Sequence, residues 1–150
     1  QRSQFIESLK MTRQELKQEY GKQEGDPQIK ARQRQRMQEA LRSSMRQAVA
    51  TADLVITNPT HYAVAIKFAF DEEGTPPRLV AKGEDEIARI IREVAKRNNV
   101  PMYEDKPMAR FLYDNVELNQ LIPGQLLELL ARIVAAIPSL SAKFQRDRVA

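Results

Sequence analysis

From Thr51 onward, apolar residues fall in short blocks of strand length that alternate with runs of helical spacing. Leu54-Val55-Ile56 is a short β-branched block, and Tyr62-Ala63-Val64-Ala65-Ile66-Lys67-Phe68 is a longer one. Asp71 to Pro77 is a loop by composition, and Arg78-Leu79-Val80-Ala81 forms a third block. Between Glu84 and Asn98 the period changes. Ile87, Ile90, Ile91 and Val94 share one helical face, acidic residues lead and Lys96-Arg97 close, as the helix dipole favours. Asn98-Asn99 ends that helix, and Val100-Pro101-Met102-Tyr103 reads as a brief fourth strand, making a parallel, right-handed βαβ unit. Pro107 opens a helix to about Asn115. Ile122-Pro123-Gly124 turns into a last helix near 125–137, with Leu126, Leu127, Leu130, Ile133 and Val134 on its core face.

The first 50 residues follow another rule. They are rich in Gln, Arg, Lys, Glu and Met, all good helix formers. Phe5, Ile6, Leu9, Leu16 and Tyr20 give an incomplete apolar stripe. Gly25-Asp26-Pro27 breaks it, because a residue before proline avoids the helical region and proline suits a first helical turn. A second helix, near 28–49, carries Lys30, Arg32, Arg34, Arg36, Arg42 and Arg46. Ile29, Met37, Leu41, Met45 and Val49 concentrate its apolar spacing toward the C-terminal half, which is expected to dock on the domain. The predicted class is α/β: a small central sheet of about four short strands, flanked by about four helices, with a long N-terminal helical arm. The predicted organisation is a basic arm over 1–50, a globular domain over 51–138 and a flexible tail over 139–150.

Charge sharpens that division. Residues 1–50 hold 11 Lys/Arg against 6 Asp/Glu, a net of +5, and residues 51–150 hold 13 against 14, a net of −1. Basic character thus belongs to the arm. The chain has no cysteine, which removes disulfides, zinc–thiolate sites and thiol nucleophiles and suits a reducing compartment. No apolar run reaches the roughly 18 residues of a membrane span, and the start lacks the apolar stretch of a signal peptide. A start without Met points to a fragment of a longer protein.

The two strand-like blocks at 54–56 and 62–68 are joined through Asn58-Pro59-Thr60-His61, which holds the only histidine of the chain. The residue types alone suit an ordinary turn. Their order suits chemistry on the chain itself. Asn usually decays when the next residue's backbone nitrogen attacks its side chain, and proline has no N–H with which to do so. The reverse attack stays open: the Asn58 side-chain nitrogen adds to its own main-chain carbonyl, closes a succinimide and expels Pro59. An amide is a poor nucleophile, so the flanking strands must hold it by proximity. Backbone donors would stabilise the oxyanion. His61 would protonate the departing nitrogen, since an imidazole titrates near neutrality, and Thr60 would orient either group. The paired strands would hold the two pieces together afterwards. Asn58, Pro59, Thr60 and His61 are the candidate catalytic residues. One His and no Cys make no zinc set, and no Gly-rich phosphate loop is present, so neither metal nor cofactor is expected.

At these residues the sequence resembles the FlhB/YscU family. The match rests on Asn58-Pro59-Thr60-His61 with Tyr62-Ala63-Val64-Ala65. It is supported by Glu24-Gly25-Asp26-Pro27, Val80-Ala81-Lys82-Gly83, Pro107-Met108-Ala109-Arg110 with Leu112-Tyr113, and Ile122-Pro123-Gly124-Gln125-Leu126. The resemblance implies the cytoplasmic domain of an inner-membrane protein of flagellar or virulence type III secretion, with its transmembrane helices before Gln1. It implies single-turnover self-cleavage between Asn58 and Pro59, both pieces being kept, and a switch in the class of secreted substrate. The implied partners are the export gate and other export-apparatus proteins, a hook- or needle-length ruler protein and the secreted substrates. The last motif leans toward the flagellar branch, and the face around Tyr62 and Lys67 is the expected substrate surface. The alternative is a basic nucleic-acid-binding module built on the Lys30–Arg46 segment. That segment has no interleaved aromatics and would serve an anionic membrane surface equally well. A turnover hydrolase using His61 finds no nucleophile by pattern.

Overall fold

The computed structural model describes residues 25–70, 72 and 74–149. The apolar stripe expected at Phe5 to Tyr20 lies outside the described residues. The chain divides into two units, Gln1–Arg42 and Ser43–Ala150. Helix α1 runs from Pro27 to Ala50, so the globular unit begins inside it rather than at residue 51. Met37 and Leu41 are exposed, whereas Val49 is buried and Met45 packs beside it in the second unit. The docked part of α1 is therefore its last two turns.

The second unit is built on strands β1 (Leu54–Asn58), β2 (Tyr62–Lys67), β3 (Arg78–Glu84) and β4 (Met102–Glu104), in the order β3-β2-β1-β4. β1 and β2 form an antiparallel hairpin, β2 and β3 are antiparallel, and β4 lies parallel to β1. Helices α2 (Asp85–Arg97), α3 (Lys106–Asn115), α4 (Leu127–Ala136) and α5 (Pro138–Val149) complete the α/β fold. In the expected βαβ unit, β3 and β4 point the same way but stand apart, with β2 and β1 between them.

The alternation of strand side chains decides the two layers. Leu54, Ile56, Val64, Ile66 and Leu79 face α3 and α4, with Leu112, Leu130 and Ile133. Val55, Ala63, Ala65 and Ala81 face α2, with Ala88, Ile91 and Ala95. Both faces are covered, which is why β1 and β2 are almost wholly buried. The α2 face of the sheet is mostly alanine, so α2 comes close. At Gly83 an added Cβ would lie 2.2 Å from Ile87 Cγ2 and 2.7 Å from Ile87 Cβ. A bulge after Ala65 lets Val80 fall between the paired residues Leu79 and Ala81 of β3.

The C-terminal segment corrects one expectation. Residues from Pro138 are not a loose tail: they form α5, with Pro138 at its first turn, where a missing N–H costs nothing. Leu140 is buried, and the Phe144 ring sits 5.2 Å from Phe68 and 4.5 Å from Phe70 between centroids. Lys143 Nζ lies 2.7 Å from Asp53 Oδ1, while Asp53 Oδ2 accepts the Phe68 N–H at 2.8 Å. The Asp53 side chain is 2% exposed and that of Lys143 is 50% exposed. Removing one partner of a fully buried pair costs about 3–5 kcal/mol, and solvent at Lys143 reduces that. Lys143→Met is therefore expected to lower stability by about 1–2 kcal/mol, read as a shift in the urea midpoint, with earlier proteolysis within α5.

Candidate functional site: the Asn58–His61 turn

The hairpin places the four candidate residues at one end of the sheet. Asn58 is the last residue of β1 and pairs with Tyr62, the first residue of β2. Asn58 is half-buried, and Pro59, Thr60 and His61 are exposed. The strand beneath is fixed on both edges: Thr57 pairs with Ala63 on one side, and its carbonyl accepts the Asp105 N–H at 3.0 Å on the other. Asp105 in turn caps α3, its Oδ1 accepting from the Met108 N–H. Asn58 thus ends a strand that cannot slide.

The turn has the type II form. The His61 N–H donates to the Asn58 carbonyl at 3.0 Å, Pro59 occupies the second position, and Thr60 in the third has φ of 86°. Type II turns place Gly or Asn at that third position. A β-branched residue there is strained, at a cost of about 1–3 kcal/mol. The carbonyl that accepts from His61 N–H is also the one the Asn58 side chain would attack. That hydrogen bond already polarises it and points at the oxygen on which negative charge would grow.

A second tie comes from α2. The Asp85 N–H donates to the His61 carbonyl at 2.8 Å, and Asp85 Oδ1 lies 4.0 Å from His61 Nδ1. Asp85 itself has φ of 49°, a conformation Asp tolerates better than most residues. In the sequence, Glu84-Asp85-Glu86 is no more than the acidic start of a helix. Nothing in its spacing relates Asp85 to His61, because β2 and β3 must pair first.

Beside the turn, the Tyr62 ring lies 4.8 Å from that of Tyr113. Lys82 Nζ sits 5.3 Å from the Tyr113 ring centre and donates to the Tyr113 and Val116 carbonyls. The expected face uniting Tyr62 with Lys67 does not exist. The two stand at opposite ends of β2, and five residues apart they project from opposite sides of the sheet. Near the far end of β2, Phe68, Leu127, Leu130, Val134 and Phe144 line an apolar cleft of about 440 Å³.

Burial, then the nearby Glu84 carboxylate, Tyr62 and the carboxylates of Asp114 and Asp85 push the Tyr113 hydroxyl above its usual 10.0. The unfolded chain loses this proton first as pH rises. Above pH 10 the folded state then holds a proton that the unfolded state lacks, and stability falls with pH. Tyr113→Phe keeps the ring and is expected to flatten that fall, measured as urea midpoints across the alkaline range.

The chain is matched over residues 1–137 by the profile of the FlhB HrpN YscU SpaS family. It is 48% identical over 144 residues to the flagellar biosynthetic protein FlhB of Borreliella burgdorferi, covering 96% of this chain and 38% of that protein. It is 45% identical over 148 residues to FlhB of Helicobacter pylori, covering 99% of this chain and 41% of that protein. The chain thus spans about two fifths of the length of these relatives. Among solved structures, it resembles the cytoplasmic domain of FlhB from Shewanella putrefaciens with a TM-score of 0.58 and 36% identity, over 63% of this chain and 71% of that one. It resembles an EscU C-terminal domain with a TM-score of 0.60 and 26% identity, over 66% and 90%. With residues 1–137 matched by the profile and relatives 45–48% identical over nearly its whole length, the chain belongs to the bacterial export family of FlhB, HrpN, YscU and SpaS.

Proposed function

We propose that this chain is the cytoplasmic part of a flagellar protein-export component, that it cuts itself once between Asn58 and Pro59, and that the cut changes which substrates are exported. The observation that carries the chemistry is the His61 N–H on the Asn58 carbonyl at 3.0 Å, inside a turn strained at Thr60. In the proposed step the Asn58 side-chain nitrogen bonds to its own carbonyl carbon while the Asn58–Pro59 bond breaks. The proton lost by that nitrogen is matched by one gained at Pro59, with the exposed His61 imidazole as carrier. The products are a C-terminal succinimide at 58 and a free secondary amine at 59. Cutting relieves the Thr60 strain, while the β1–β2 and β1–β4 ladders keep both pieces in one sheet.

The wider reading follows family membership. The relatives are named flagellar biosynthetic proteins, which supports the flagellar branch. The proposed setting is the cytoplasmic face of the inner membrane, with α1 leading toward membrane helices. The proposed partners are the export gate, a ruler protein and secreted substrates, met at a surface remodelled when Pro59-Thr60-His61 comes free. Intact-mass analysis under denaturing conditions tests the cut. The purified chain is expected to give fragments 1–58 and 59–150, and a single full-length mass after prolonged incubation would refute the reading.

A further inference from the structure

We propose that cutting creates a binding site for a square-planar divalent ion, Cu(II) or Ni(II), at the new N-terminus Pro59-Thr60-His61. This rests on the cleavage proposed above. A chain that begins with two residues and then histidine offers four nitrogens in order. They are the terminal amine, the main-chain nitrogens of the second and third residues, and the imidazole Nδ1. Together they close fused chelate rings around one ion in a plane, the geometry that Cu(II) and Ni(II) select. No cluster of acidic or histidine side chains is needed, and among the described residues no group of three or more is placed to hold a metal ion.

The residues fall where this chelate needs them. Proline has no amide N–H, so it would block the second or third place, where an amide must ionise. It stands first, where its nitrogen becomes a basic secondary amine. Before the cut, that same nitrogen is a tertiary amide with no available lone pair, so the site does not exist in the intact chain. Pro59, Thr60 and His61 are all exposed and lie between the ladder partners Asn58 and Tyr62, outside the sheet. The His61 N–H is held by the Asn58 carbonyl, the group the cut detaches. The His61 carbonyl stays anchored to the Asp85 N–H, just beyond the last ligating nitrogen. Nδ1 is the ring nitrogen facing Asp85 Oδ1 at 4.0 Å, leaving a carboxylate beside the site. Binding releases the Thr60 and His61 amide protons, and any proton on the Pro59 amine, to solvent, and the metal keeps its oxidation state. Two amidates then balance the two positive charges.

The test uses the full chain without a histidine tag, freed of metal by chelator, with its cleavage first scored by intact mass. One equivalent of Cu(II) is then added. The expected result is the single visible band of four-nitrogen square-planar copper, saturating at one copper per cut chain. Native mass spectrometry should place the copper on fragment 59–150. Folded, uncut Asn58→Ala keeps His61 but has no Pro59 amine, and is expected to lose the band. A cut chain without the band, or an equal band from Asn58→Ala, overturns the metal site and leaves the cleavage reading standing. A wild-type chain that is never cut overturns both.

Discussion

Replacing Asn58 with alanine is expected to leave the chain whole. The substitution removes the only nucleophile in the proposed step, while the β1–β2 pairing and the turn hydrogen bond stay available, because both use main-chain atoms. Intact mass after prolonged incubation should show one species, and urea unfolding should show a cooperative domain. Two neighbouring changes separate the roles within the turn. His61→Ala removes the proton carrier but keeps the main-chain N–H on the Asn58 carbonyl. It is expected to slow cutting by about 10²-fold, the low end for a positioned acid, since water reaches the exposed site. Pro59→Ala frees φ at the second turn position and restores an N–H at residue 59. It is expected to slow cutting and to add deamidation of Asn58 as a competing product, one mass unit heavier than the intact chain. If Asn58→Ala were still cut at the same bond, cyclisation would be the wrong chemistry.

Gly83→Ala is expected to lower stability by about 1–3 kcal/mol, the range for overpacking a tight contact, and to slow cutting as well. A Cβ at residue 83 would meet Ile87 Cβ at 2.7 Å and the Ile87 carbonyl carbon at 3.2 Å. Neither atom belongs to a flexible side-chain end, so α2 itself must move. Gly83 pairs with Ala63, two residues beyond His61, and α2 begins at Asp85, whose N–H holds the His61 carbonyl. A displaced α2 therefore pulls on the turn. Urea midpoints give the stability effect, and the rate of appearance of fragment 59–150 gives the effect on cutting. Adding Ile87→Ala removes the Cγ2 part of the clash and leaves the Cβ and carbonyl carbon in place. The double variant is expected to be more stable than the sum of the two single effects, since the substitutions share one contact.

The Asn58–His61 turn was legible as a candidate because its logic is local. Proline after Asn58 closes one reaction and leaves another, and that holds for any chain with this order. The strands around it were legible from blocks of β-branched residues, although β3 runs on to Glu84 rather than stopping at Ala81. The C-terminal helix was missed because its apolar signal is two residues, Leu140 and Phe144, one turn apart. They acquire meaning only against Phe68 and Phe70, which sit seventy or more residues earlier. The surface expected around Tyr62 and Lys67 failed on parity, since an odd separation along a strand sends side chains to opposite faces.

By itself, then, the sequence determined the elements up to the last helix, the division between a basic arm and a near-neutral domain, and the four residues of the turn. Each of these depends on neighbours within a few positions, on hydrophobic period, on proline's missing N–H and on the reactivity of Asn. Only the tertiary structure decided what surrounds the turn. It brings Asp85 to His61 and Tyr113 beside Tyr62, sets Gly83 under Ile87 and seats Lys143 on Asp53. Those contacts join residues 24 to 90 positions apart, or, at Gly83, depend on how close a helix lies to its sheet. Such distances close only when whole layers pack, and no local pattern along the chain encodes them.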